Sequence, residues 1–214
     1  AGWDESSDLP LTGTAVFGPN HVPAGTPSSS DWPYASISYL DVNGREVNTA
    51  SYGAGQWLID TSRYDQHGNT VWSLTAGNRA QALTPTTETD PAAAAASSSA
   101  ARADLLASTS VYSADGSEEI DSYGPVHPVQ LANGELIDAR SHSHTDYDQG
   151  APATGGPFQL PTTVTSTVQD VNGVDYDPRV TTTGYDIINS SDPNEASGWT
   201  LRQATKTTVQ LGAS

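Results

Sequence analysis

From Tyr34 onward the chain is written in short runs where apolar side chains alternate with small or polar ones, each run closed by a glycine turn. Ile37 and Tyr39 lead into Asp41-Val42-Asn43-Gly44, and Val47 and Thr49 lead out again. Trp57 and Ile59 run through to Tyr64-Asp65, turn at His67-Gly68-Asn69 and leave by Val71 and Trp72. The four turn residues return as Asp170-Val171-Asn172-Gly173, Ala132-Asn133-Gly134 offers a third Asn-Gly, and Asp115-Gly116 adds an Asp-Gly. A period of two marks strands with one buried face. Asn-Gly between two such runs marks a hairpin whose type I′ turn takes positive φ at both central residues. β-Branched density predicts further strands over 162–168 and 179–186, and a last one runs from Trp199 through Val209. The pattern therefore predicts a mainly β fold of successive antiparallel hairpins. Trp57, Ile59, Tyr64 and Trp72 are expected to cover one another across neighbouring strands.

Two stretches break the alternation. Residues 1–30 are rich in Gly, Pro and Ser and read as an irregular lead-in with one strand at Thr14-Ala15-Val16-Phe17. Asp90 followed by Pro91 and an alanine run supplies an N-cap, a proline at the first helical position and a strong helix former, which predicts a helix over 91–107. An Ala/Ser linker competes with it, because Leu105 and Leu106 are the only large apolar side chains there. The stretch from Asn78 to Leu83 adds one short helical turn. Residues 31–214 then read as a single β region with an Ala/Ser-rich insert at about 90–107.

Composition narrows the function classes. With 25 acidic against 8 basic residues the net charge is -17, which offers no footprint for nucleic acid and repels anionic lipid. Disulfide and thiol chemistry are excluded by the lack of cysteine. No apolar run approaches the roughly 20 residues a spanning helix needs, so membrane insertion is not expected. Aromatic content comes from 9 Tyr and 5 Trp against 2 Phe, residues with a flat apolar body and a polar tip. The chain starts at Ala1 without Met and reads as a segment of something longer.

The dipeptide Tyr-Asp recurs at Tyr64-Asp65, Tyr147-Asp148, Tyr176-Asp177 and Tyr185-Asp186, and in the first of these a glycine, Gly68, stands three residues after the aspartate. The units Tyr39-Leu40-Asp41-Val42-Asn43-Gly44-Arg45, Arg63-Tyr64-Asp65-Gln66-His67-Gly68-Asn69 and Val180-Thr181-Thr182-Thr183-Gly184-Tyr185-Asp186 resemble the RHS, or YD-repeat, proteins of bacteria, particularly the large actinobacterial ones. The resemblance covers most of residues 34–211. It implies a β-hairpin repeat ribbon that spirals into a hollow shell, in relatives often enclosing a C-terminal toxin or effector, with related repeats in cell-surface adhesion proteins. It also implies a secreted or surface location, with the remainder of a longer chain or neighbouring β-repeat subunits as partners. Nothing after Thr208 reads as an effector, so this stretch is expected to be noncatalytic wall and not cargo.

Candidate chemistry is sparse, and no cofactor motif is present. In a strand through Arg140 to Asp148, His142, His144, Asp146 and Asp148 share one face, and two imidazoles at i and i+2 with one carboxylate, Asp146, have ligand types suited to Zn²⁺, Ni²⁺ or Cu²⁺. The alternative is a solvated polar strand face. Asp170, Asn172 and Asp175 alternate in the manner of calcium ligands but lack the loop and terminal Glu of an EF-hand, and a turn accounts for them. Trp57, Trp72 and Trp199 are either core or, if exposed, stacking platforms for carbohydrate. Their exposure separates a scaffold from a sugar-binding module. No nucleophile elbow, phosphate loop or His-Glu-x-x-His is found. Asn189-Ser190-Ser191 forms a sequon.

Overall fold

A computed structural model of the chain describes residues 9–86, 90–185, 199 and 202–212. Among these residues the fold is mainly β, with twelve strands against three short α-helices, and each strand pairing described below is antiparallel. The chain forms two compact units, Ala1–Thr109 and Ser110–Ser214.

In the first unit β1 (Thr12–Phe17), β2 (Ala35–Leu40), β3 (Glu46–Gly53), β4 (Gln56–Tyr64) and β5 (Thr70–Leu74) lie side by side in chain order. The start of β6 (Ser108–Tyr112) returns beside β5 through the Trp72–Thr109 pair. Between β5 and β6 lie α1 (Ala76–Leu83), α2 (Pro91–Ala95) and α3 (Ser99–Leu106). The helix expected over 91–107 is thus two helices. Asp90 caps the first by accepting from Ala93 N, and Ser98 caps the second by accepting from Ala101 N, with Ala96 extended between them. Serine competes with helical backbone and favours a cap over an interior position, which is why the serine run splits the segment. Alanine-rich helices pack closely: Trp72 and Leu74 of β5 are buried against Ala82, Ala93, Leu106 and Ala107.

In the second unit β7 (Glu119–Tyr123), β9 (Leu136–Tyr147), β10 (Pro161–Asp170), β11 (Asp175–Tyr185) and β12 (Ala204–Leu211) are neighbours in that order. β9 is long enough to pair twice: its first residues meet β8 (His127–Gln130) and its later ones meet β7. A small core is built from Phe158, Tyr185 and Trp199.

The hairpin turns differ from the type I′ geometry expected for Asn-Gly. Gly44, Gly134 and Gly173 have φ of 77°, 90° and 84°, but Asn43, Asn133 and Asn172 are not left-handed. Each is a three-residue loop: Gly44 N donates to Asp41 O, Gly134 N to Leu131 O and Gly173 N to Asp170 O. A type I turn closed by a left-handed glycine leaves only that glycine at positive φ. The two-residue turn with both residues left-handed occurs instead at Ala54 and Gly55, φ 49° and 80°, between β3 and β4.

Candidate functional site

The Tyr-Asp signature resolves into two hydrogen-bonding devices. Tyr64, Tyr147 and Tyr185 are each the last residue of their strand. Their hydroxyls donate to Glu46 O at 2.8 Å, Glu119 O at 3.0 Å and Pro161 O at 2.8 Å. Each acceptor is the first residue of the strand paired with the tyrosine's own. The phenol therefore ties the end of one strand to the beginning of its neighbour three times over.

The aspartate folds the turn that follows. Asp65 Oδ1 accepts from His67 N at 2.8 Å and Asn69 N at 2.9 Å, while Gly68, with φ 92°, donates its N–H to Asp65 O. Asp41 repeats the pattern with Asn43 N and Arg45 N, both at 2.8 Å, and Asp170 with Asn172 N and Val174 N, both at 2.8 Å. Burial raises the carboxyls of Asp41 and Asp65, but the hydrogen bonds outweigh it and hold both below the ordinary carboxylate value. Asp148 applies the same chemistry to a wider loop, accepting from the main-chain N–H groups of Phe158, Gln159 and Leu160. It is left-handed, φ 54°, and lies one residue past the end of β9, so it does not share a strand face with His142 as expected. Asp177 departs from the pattern by accepting from Ala132 N. Asp186 and the sequon at Asn189 lie outside the described residues.

The histidines form a different arrangement. Cross-strand pairing sets Tyr123 beside His142 and Asp121 beside His144. Asp121 Oδ1 is 3.1 Å from His142 Nε2 and 2.7 Å from His144 Nδ1, and Asp175 Oδ1 is 2.9 Å from His142 Nδ1. The third expected ligand, Asp146, is 3.7 Å from His144 Nε2. Both ring nitrogens of His142 thus face carboxylates. Tyr123 stacks on His142 at 4.5 Å and carries the Arg140 guanidinium 4.3 Å from its ring centroid. Gln169 accepts from Arg140 Nη2 at 2.7 Å. Hydrogen bonding to Asp121 raises the His144 imidazole above its ordinary value, against the opposing effect of burial. The Asp121 carboxyl, raised by burial, is brought below its ordinary value by hydrogen bonds from both histidines. Among the described residues no three His, Asp or Glu side chains are disposed to hold a metal ion. The arrangement is a hydrogen-bonded clasp joining β7, β9 and β11. Asp121 lies 21 and 23 residues before the histidines it meets, so nothing local in the sequence signals the contact.

The tryptophans divide. Trp72 is 9% exposed beneath the Arg63 guanidinium, and Trp199 is 7% exposed against Phe158 and Tyr185. Trp57 stands out of the sheet, 39% exposed, edge-on to Tyr52. Of the expected cluster Trp57, Ile59, Tyr64 and Trp72, Tyr64 lies on the opposite face of β4 and takes no part; the others share one face, where Trp57 is paired with Tyr52 and Trp72 with Arg63. No family model matches the chain, and no curated protein matches it. Among the described residues no helix is long and apolar enough to cross a membrane.

Proposed function

We propose that the chain is a noncatalytic β-hairpin segment of a secreted or surface RHS-like protein, acting as scaffold or shell wall. The observation that carries this reading is the repeated use of a strand-terminal tyrosine and a turn-folding aspartate to close successive hairpins. Such a device works through main-chain atoms and can be repeated for as many hairpins as the chain contains, each needing a neighbour for its open edge. The burial of Trp72 and Trp199 supports the same reading, since these rings pack as core. All eight residues of β12 are exposed, as an edge awaiting further strands would be. Native mass measurement with hydrogen exchange tests it. The expected result is concentration-dependent association, with β12 amides exchanging faster than those of the central β10. A monodisperse monomer with β12 protected as well as β10 would remove the wall interpretation.

A further inference from the structure

Three Asn-Gly pairs sit in loops of one shape, and one of the three is wired differently. Asn43-Gly44, Asn133-Gly134 and Asn172-Gly173 are all exposed, each in a three-residue loop with its glycine at positive φ. In the first loop Asp41 Oδ1 accepts from the N–H two residues past the asparagine, that of Arg45, at 2.8 Å. Asp170 Oδ1 does the same in the third loop with Val174 N, also at 2.8 Å. Leu131 stands where the second loop would have its aspartate. The corresponding N–H, that of Glu135, donates instead to Asn133 Oδ1 at 2.9 Å. Asn172 turns the other way, its Nδ2 donating to Asp170 Oδ2 at 3.3 Å.

That exchange of acceptor changes the chemistry open to the asparagine. A side-chain oxygen held by the N–H two residues on closes a ring around the intervening peptide unit, which carries the Asn133 amide carbon toward the Gly134 nitrogen. The same Glu135 N–H donates to the oxygen on which negative charge develops when that nitrogen attacks, the part played by an oxyanion-stabilising donor. Glycine brings no side chain to hinder the approach, and a Cβ at Gly134 would meet nothing within 4 Å, so the site is open to water. The Gly134 N–H bond to Leu131 O at 2.8 Å opposes the attack, as do the bonds of Gly44 to Asp41 O and Gly173 to Asp170 O at 3.1 Å. What distinguishes Asn133 is therefore the donor on its side-chain oxygen.

We infer that Asn133 is a self-modification site, converted to aspartate and isoaspartate by intramolecular cyclisation, while Asp41 and Asp170 protect Asn43 and Asn172. Gly134 N bonds to Asn133 Cγ and gives its proton to solvent. The bond from Cγ to the side-chain nitrogen breaks, and that nitrogen takes up a proton and leaves as ammonia. Water then opens the succinimide at either carbonyl. The product places a carboxylate one residue from Ala132, whose N–H the Asp177 carboxylate holds. Its isoaspartate form adds a main-chain atom to a loop closed by Leu131 N to Glu135 O at 2.8 Å. To test this, the 214-residue chain is aged at mildly alkaline pH, folded and in urea, and digested with trypsin. Cleavage puts the three asparagines on separate peptides, residues 1–45, 103–140 and 141–179, each followed by the mass gain of an amide-to-acid exchange. In the folded chain Asn133 is expected to react about fivefold or more faster than Asn43 or Asn172, the rate equivalent of one net hydrogen bond, and the three should converge in urea. This comparison needs no variant. Asp170→Ala frees the Val174 N–H and should speed Asn172 severalfold, whereas Asp170→Asn keeps an acceptor there and should not. Equal rates in the folded chain, an Asn133 lead that persists in urea, or the same response of Asn172 to both substitutions would overturn the inference.

Discussion

Replacing Asp65 with alanine removes two main-chain hydrogen bonds, from His67 N and Asn69 N, and a third from Asn69 Nδ2 at 3.1 Å. An intramolecular hydrogen bond contributes a net 0.5–1.5 kcal/mol on the order of magnitude, and more when the acceptor is charged. Asp65 is half-buried, so water replaces part of what is lost. The lower end of that range for each of the three donors gives about 1.5 kcal/mol in total, similar to the loss of a helix N-cap. Asp65→Asn keeps an oxygen acceptor and loses the charge, so it should cost about half as much. Urea unfolding followed by far-UV circular dichroism measures both as shifts in midpoint at constant slope. The effect carries a pH signature. The folded-state carboxyl lies below its ordinary value of 3.8. Its ionised form therefore stabilises the fold fully above that value, and this contribution is lost as pH falls through the lower, folded-state value. The gap between the original protein and Asp65→Ala should narrow from pH 7 toward pH 2. A gap under about 0.3 kcal/mol at pH 7, or one that stays constant into acid, would refute the turn-folding role.

The histidine clasp has the opposite sign. His144 is raised above the ordinary imidazole value of 6.5, so its contribution is complete below that value and is lost as pH rises through the raised one. Asp121→Asn should bring the His144 midpoint down in an NMR titration, and an unchanged midpoint would show that the carboxylate does not hold the ring. Trp199→Ala removes a buried ring from its contacts with Phe158 and Tyr185 and should cost about 3–5 kcal/mol. Trp57→Ala, on an exposed ring, should cost less than about 1 kcal/mol. The reverse order in urea midpoints would contradict the assignment of core and surface.

Much of the fold was legible in the sequence because period-two alternation and glycine turns are local signals. Val47 and Ile59 mark strands without any knowledge of their partners. The turn type was not legible, because Asn-Gly serves both a two-residue loop and a three-residue loop. In two of the three loops the carboxylate of Asp41 or Asp170, two residues before the asparagine, braces the three-residue form by accepting from residues on both sides of the glycine, while the third takes the same form with Leu131 in that place and Asn133 Oδ1 accepting from Glu135 N. The helical insert was visible in its alanines and its Asp90 cap, while the break at Ser98 depends on which serine caps and which does not. The candidate site was half legible. His142 and His144 stand out by spacing, but Asp121 and Asp175 reach them through strand pairing, and the register of β7 against β9 is not written near either residue.

Register is also where the Tyr-Asp pair has its physical purpose. In the second unit the cross-strand row Ser143–Ser166–Arg179 and the row Asp146–Thr163–Thr182–Thr208 lie on opposite faces, and both are polar. A one-residue slip of such strands exposes no hydrophobic set, so burial alone specifies their register weakly. A phenol bonded to the first residue of the neighbouring strand and a carboxylate bonded to a fixed turn are each broken by that slip. With Tyr147 and Tyr185 bounding β9 and β11, the slip would cost the hydroxyl bonds to Glu119 and Pro161 together with the main-chain ladder between them. Tyrosine and aspartate at the strand ends therefore supply the register information that a Thr- and Ser-rich sheet cannot obtain from a hydrophobic face. This explains why the signature sits at strand ends and not in strand centres.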